Sequence, residues 1–267
     1  MQNILNTKNK REMVSMVTET TLNDITLLVG AFIYVLVVIG ISMVLKKKDV
    51  INGHAARKIV HLTAGFSVFI VPYLSTPHLS MIISILFLVV CRLSKPKTPV
   101  FEMMAEKDER DLGYLGGPFS YALSINILVF IFSFQPLVQY FYFPASTIMI
   151  MMISDTLAAF YGRKYGKINI KIKWTKTVRT LEGSLVLMIS AFGLSVFGFA
   201  FFGTWFPVQN NVLAIDEILI LSAIVGVIAA VTEVLSPSNQ DDLTMPITTC
   251  FLSFLITAIA IPGFIGL

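Results

Sequence analysis

The stretch Ser154–Ser184 reads SDTLAAFYGRKYGKINIKIKWTKTVRTLEGS. It leaves one apolar segment through Ala158, Ala159 and Gly162, crosses a basic loop, and enters a second apolar segment at Glu182, Gly183 and Ser184. The loop carries Arg163, Lys164, Lys167, Lys171, Lys173, Lys176 and Arg179. Apolar, basic, apolar is the pattern of two membrane helices joined on the positively charged side of a bilayer. Asp155 does not fit that pattern by itself. It stands before the last two turns of a membrane helix, where an ionised group is costly and needs a reason. An acid at each rim of a basic loop suits a metal-bound polyphosphate. Lys and Arg neutralise phosphate oxygens, and carboxylates hold the bridging Mg²⁺.

The rest of the chain has the same character. Of 267 residues, 55% are hydrophobic and 13% charged, and the mean hydropathy is +0.79. This is too apolar for an ordinary soluble domain. The net charge of +4 is explained by cations placed between apolar runs, so no nucleic-acid partner is expected. Cys91 and Cys250 lie in or beside apolar segments and form neither a disulfide framework nor a metal-type spacing. About eight apolar segments are long enough, or nearly so, to cross roughly 30 Å of hydrocarbon as helices. They fall near residues 25–45, 59–74, 79–93, 119–135, 144–161, 183–203, 217–235 and 245–265, with a count of seven as the alternative. The second and third are short and read as a hairpin broken by Pro72 and Pro77. The expected fold is an all-α, polytopic membrane bundle. Residues 1–24 form a polar N-terminal tail, and residues 25–267 a single membrane-embedded catalytic domain.

Cations alternate from loop to loop. They are dense at Lys46–Lys58, Arg92–Pro118 and Arg163–Arg179, and absent from the loops between. The positive-inside rule places the dense loops in the cytoplasm. By parity the loop SPSNQDDLTM, with Asp241 and Asp242, lies on the same side. Nearly all ionisable residues then face one compartment. A transporter or flippase would more often place charges along a path at mid-membrane. The one-sided arrangement favours an enzyme working at an interface.

Three constellations line that face. HAARKIVHLTAG puts His54, Lys58, His61 and Gly65 on one helical stripe with Arg57 beside it. Arg57 and Lys58 suit a phosphate clamp, and His61 lies one turn deeper. Arg163, Lys164, Arg179, Thr180, Glu182, Gly183 and Ser184 flank the basic loop, the last of them at a helix N-terminus, where free N–H groups favour phosphate. Asp241 and Asp242 open the final helix. Two adjacent acids there are either dipole-favoured or, facing the basic loop, part of a Mg²⁺ site with Asp155. The third loop, EKDERDLGYLGGPFSYAL, reads as solvated, with ion pairs of little worth. No Walker-type glycine loop or kinase signature set is present.

RKIVHLTAG at Arg57–Gly65, SDTLAAFYGRKYGK at Ser154–Lys167, RTLEGS at Arg179–Ser184 and TEVLSPSNQDDLTMP at Thr232–Pro246 occur in this order. Together they resemble the CTP-dependent polyprenol kinases, the phytol, farnesol and dolichol kinases. ERDLGYLGGPFSYAL looks most like the phytol kinase branch. The resemblance implies transfer of the CTP γ-phosphoryl group to the hydroxyl of an isoprenoid alcohol, with Mg²⁺ as cofactor. It implies Asp155, Glu182 and Asp241 as polar site residues, with Arg163 and Arg179 near the phosphates. Taken with the constellations above, the expected catalytic residues are Asp155, Asp241 and His61 and the expected metal ligands Asp155, Asp241 and Asp242. The nucleotide is expected at Arg57, Lys58, Arg163, Lys164, Arg179, Thr180, Glu182, Gly183 and Ser184. The chain departs from the family pattern at Arg179-Thr180, where Lys-Ser is common, and at Asp241-Asp242, where Asp-Asn is common. It also has His54 and Ala55 where an acid often precedes the Arg-Lys pair. The DxxAxxxGRxxGK pattern is also similar to CDP-diacylglycerol synthases, in which a lipid phosphate attacks the α-phosphorus of CTP. The expected location is a prokaryotic plasma membrane, with the active site facing the cytoplasm.

Overall fold

The computed structural model describes residues 2–175, 177–206, 213–237, 240–260 and 264. Helix α1 runs Gln2–Lys47 and α2 runs Gly53–Ala64. Two 3₁₀ stretches, Gly65–Tyr73 and Pro77–Ser80, lead into α3 (Met81–Leu93). Two short helices, α4 (Pro99–Met104) and α5 (Lys107–Leu112), precede α6 (Gly116–Ile131). A long helical unit follows, made of α7 (Tyr142–Met149), a π-helical turn (Ile150–Ser154) and α8 (Asp155–Tyr165). A small antiparallel hairpin pairs β1 (Asn169–Lys171) with β2 (Val178–Thr180). The chain then forms α9 (Leu181–Ala200), α10 (Ile215–Leu235) and α11 (Asp241–Ala260).

The fold is all-α and polytopic, as the sequence predicts. Among the described residues five helices are long and apolar enough to cross a membrane: Thr21–Lys47, Leu137–Tyr165, Leu181–Trp205, Ile215–Leu235 and Asp241–Ala260. Pro77–Leu93 and Gly116–Ile131 are shorter apolar helices. The predicted segment at 59–74 is divided, α-helical to Ala64 and 3₁₀ beyond it. The change falls at Gly65, where a Cβ would collide with the Met152 side chain and approach the Tyr121 hydroxyl at 2.9 Å. The predicted polar tail over residues 1–24 is helical from Gln2 and continuous with the first span. The basic loop holds the β1–β2 hairpin, which short alternating residues in a loop did not announce.

The unit Leu137–Tyr165 is the central helix. In its most apolar window 72% of residues are buried, against 28–50% for the other four spans. It packs through Tyr142, Phe143 and Ile148 into a core shared with Phe199, Leu221 and Cys250. α9 lies against both α8 and α10, and α11 against α6 and α10. The crossing of α8 and α9 is tight because small residues meet there. A Cβ on Gly162 would sit 2.6 Å from Thr180 Oγ1, and one on Gly183 would sit 3.1 Å from the Ala158 carbonyl. At the other end of the bundle Asp24 accepts from the Ser75 backbone N–H at 2.8 Å, tying α1 to the turn between the 3₁₀ stretches.

Candidate functional site

Four helices bring charge to one end of the bundle. α2 supplies Arg57, Lys58 and His61, α8 supplies Asp155, and α11 supplies Asp241 and Asp242. The end of α10 supplies Glu233, and β2 supplies Arg179. Lys58 Nζ lies 2.5 Å from Asp155 Oδ2. Arg57 Nη1 lies 2.9 Å from Glu109 Oε2, and its Nη2 lies 3.6 Å from Asp242 Oδ2. Arg179 bridges two acids, with Nη1 at 2.8 Å from Glu233 Oε1 and Nη2 at 3.0 Å from Asp241 Oδ2. Asp155, Asp242, Glu109 and Glu233 are all buried, at 5–9% exposure. Buried charge is tolerated only when paired or holding an ion. Here the carboxylates of Glu109, Asp155, Glu233, Asp241 and Asp242 outnumber the cations of Arg57, Lys58 and Arg179, so pairing alone does not balance the site.

His61 is set by the π turn. The α-helical donor to the Met151 carbonyl would be the Asp155 N–H, which the π turn sends instead to the Ile150 carbonyl. Met151 O lies 3.1 Å from His61 Nε2. A carbonyl only accepts, so Nε2 carries the proton and, in the neutral ring, Nδ1 presents its lone pair. Nδ1 lies 3.8 Å from Asp242 Oδ1. The Tyr121 ring packs 4.0 Å from the imidazole, and its hydroxyl donates to the His61 carbonyl at 3.0 Å. His61, Asp155 and Asp242 each offer a ligand atom, all within 4.8 Å of one another. Two carboxylates suit a Mg²⁺ whose remaining positions are filled by water and phosphate oxygens. The imidazole nitrogen is the poorer partner for so hard an ion and the better one for a softer divalent metal.

Glu109 is the residue that the sequence reading missed most completely. α5 begins with a capping box in which the Glu109 carboxylate accepts the Glu106 N–H at 3.0 Å. It also accepts the Gly117 N–H at 2.7 Å. The third loop is therefore not simply solvated: it delivers one buried acid to Arg57. Gly117 must be glycine for this, since a Cβ there would run into the Arg57 guanidinium. Glu106-x-x-Glu109 ahead of Gly116-Gly117 lacks the Ser or Thr of the usual capping-box signature, so nothing in the sequence clearly marks this acid as buried. Glu106 forms a second link. Arg163 Nη1 donates to His54 Nε2 at 3.0 Å, and His54 Nδ1 donates to Glu106 Oε1 at 3.0 Å. Burial pushes the Glu106 carboxyl up, but Arg57 and the His54 hydrogen bond outweigh it and hold the group below its ordinary range.

A cleft of about 360 Å³ lies between α8 and the start of α9. Arg163, Arg179, Thr180, Gly183, Ser184 and Glu233 line it. Thr180 caps α9, its Oγ1 accepting the Gly183 N–H at 3.2 Å. Three buried polar atoms beside this cleft, Thr177 Oγ1, Ser184 Oγ and Arg179 Nε, have no hydrogen-bond partner among the described residues. Such atoms cost free energy unless something outside the protein meets them. The other expected residues lie elsewhere. Glu182 turns back to accept the Ile168 N–H at 3.3 Å, bracing the β hairpin. Lys164 lies over the Tyr165 ring at 5.1 Å and lines a second groove, between α2 and α8. Asp241 stands outside the His61–Asp155–Asp242 cluster, bonded to Arg179.

The chain is 26% identical over 224 residues to a phytol kinase from Synechocystis sp., an alignment covering 83% of this chain and 87% of that protein. No family model matches the chain, and no solved structure matches it.

Proposed function

We propose that this membrane protein is an isoprenoid-alcohol kinase that takes its phosphoryl group from CTP. The observation that carries the reading is the cleft beside the buried acids. Arg163, Arg179, Thr180, Gly183 and Ser184 form its wall, and three of its lining residues, Thr177, Arg179 and Ser184, each hold a buried polar atom with no partner among the described residues. A triphosphate offers many acceptor oxygens and suits two guanidinium groups at a helix N-terminus. The likeness to a phytol kinase supports an alcohol as acceptor.

Asp155 and Asp242 would hold Mg²⁺, which supplies neutralisation of charge on the phosphate oxygens. The residues of this chain do the remaining work. Arg179 holds the donor phosphates and is itself fixed by Glu233 and Asp241. Lys58 pairs with Asp155 and orients its carboxylate at the edge of the acid cluster. The alcohol oxygen forms a bond to the γ-phosphorus, the bond from that phosphorus to its bridging oxygen breaks, and CDP leaves. The hydroxyl proton passes to Asp155. Positioning and charge neutralisation are most of what such a transfer asks of a protein. The site would face the cytoplasm of a prokaryotic plasma membrane, because the basic loops share its side.

The test is one assay on purified protein with Mg²⁺ and phytol, farnesol or a polyprenol. Label carried into lipid from γ-labelled CTP supports the kinase. Label carried only from the α position, with a lipid phosphate as acceptor, indicates a cytidylyltransferase instead. Absence of transfer to any alcohol from any nucleoside triphosphate would sink the reading.

A further inference from the structure

The groove between α2 and α8 has about 490 Å³, within the range of roughly 300–1,000 Å³ usual for small-molecule sites. The two helices run in opposite directions, so residues of like character meet at each level. His54 faces Arg163 at the mouth, bonded at 3.0 Å, with Lys164 nearby. One turn and more inside, the walls become apolar, with Ile59 and Leu62 on α2 and Ala159 and Phe160 on α8. Phe160, on the groove's wall, is 64% exposed. Among the described residues no acid lines the groove. Polar cations above an apolar trough suit an amphiphile with one chain and an oxygen head.

Two residues join this groove to the rest of the site. Lys58 lines it and reaches Asp155 at 2.5 Å, so the acid cluster lies directly behind its wall. Ala159 and Arg163 line both this groove and the 360 Å³ cleft. α8 is thus the partition between the two spaces, and the Arg163 guanidinium is at its crest. We propose that the α2–α8 groove is where the isoprenoid alcohol lodges, its hydroxyl at Lys58 and its branched chain over Leu62 and Phe160. This rests on the kinase reading above. Arg163 then serves both substrates, reaching donor phosphate from one face and the newly formed lipid monophosphate from the other. Specificity for the alcohol resides in the apolar trough, not in the nucleotide cleft.

Full-length protein in phosphatidylcholine vesicles is photolabelled with a phytol analogue carrying a diazirine on its chain, and the adducts are mapped by mass spectrometry. In parallel, γ-phosphoryl transfer is measured on the same vesicles. Adducts on α2 and α8 near Leu62 and Phe160, displaced by excess unlabelled phytol, are the expected result. Leu62→Trp, which fills the trough, is expected to raise KM for the alcohol at least tenfold and to leave KM for CTP within twofold. Displaceable adducts on the separate apolar cavity lined by Val68, Ile83 and Val129, with transfer intact, overturn the groove and leave the kinase standing. Adducts scattered over the lipid-facing surface and not displaced by phytol overturn it as well. Displaceable labelling of the groove without phosphoryl transfer upholds the groove as a lipid site and removes the kinase reading.

Discussion

Lys58 on α2 and Asp155 on α8 meet at 2.5 Å across 97 residues of sequence. Both are largely shielded, with side chains 22% and 12% exposed. Removing one partner of such a pair leaves the other charge uncompensated. Asp155→Asn is expected to lower the transfer rate by about 100-fold or more, the scale on which proton-accepting side chains act. Lys58→Met is expected to cost about 3–5 kcal/mol of stability, while Lys58→Met with Asp155→Leu recovers most of it without recovering activity. Thermal unfolding in detergent and the CTP assay together check this. Full activity in the double variant would remove the pair from the mechanism.

Arg179 is the only cation among the described residues within ion-pair distance of Glu233 and Asp241. Arg179→Lys keeps the charge but loses the planar fork that serves both acids. It is expected to raise KM for CTP roughly tenfold, about 1.4 kcal/mol, and to leave KM for the alcohol within twofold. Nucleotide titrations at saturating alcohol measure the split. Equal changes in both constants would indicate a role in holding the bundle instead.

Gly117 gives space to the Arg57 guanidinium. Gly117→Ala is expected to push Arg57 away from Glu109 and Asp242 and to reduce activity roughly tenfold or more, as small misplacements at a reacting centre do. Gly116→Ala serves as control. The atoms nearest its Cβ belong to the Tyr114 side chain, the closest at 3.2 Å, and that exposed ring can turn aside. Similar losses in the two variants would assign the effect to α6 as a whole.

The Arg163–His54–Glu106 chain joins α8, α2 and α5 at the mouth of the site. Glu106 is held below its ordinary range, so its charged form is favoured in the folded state. Its contribution to stability is present above the unfolded value, about 4.3, and is lost as pH falls through the lower folded value. Wild type is therefore expected to melt above Glu106→Gln at pH 7, and the gap to narrow steadily as pH falls below the unfolded value. A gap that does not narrow with acidification would show that shape, not charge, makes the link.

The helices were legible because each is an apolar run bounded by charge, proline or glycine. The cationic side of the site was legible for the same reason: Arg57, Lys58, Arg163 and Arg179 stand where those runs end. The acids were harder. Asp241 and Asp242 look alike in the sequence, and only helix phase separates them. Asp242 shares a face with the buried Met245, Pro246 and Thr249, whereas Asp241 is a turn-edge neighbour that meets Arg179. Glu233 lies on the stripe of Ser222, Val225, Gly226 and Ala229, a phase that periodicity alone would have shown. Glu109 depended on how α5 folds back over Arg57, and a six-residue helix has too few turns to declare a buried face.

The π turn at Ile150–Ser154 makes chain length itself a part of the site. Each residue added to or taken from an α-helix rotates everything beyond it by about 100°. The π turn takes up one extra residue, so α7, fixed by its aromatic packing, and α8 keep the phase of one continuous helix. Deleting one apolar residue from Met152–Ser154 would let the helix run α throughout, with the bond from the Asp155 N–H to the Ile150 carbonyl becoming an ordinary α-helical one. It would leave hydropathy, charge and the bearing of α8 unchanged, but the Met151 carbonyl would gain a backbone donor and His61 Nε2 would lose its free partner. Substitutions along Ile150–Ser154 and a single deletion within it therefore belong to different orders of consequence, and in this helix the count of residues matters as much as their kind.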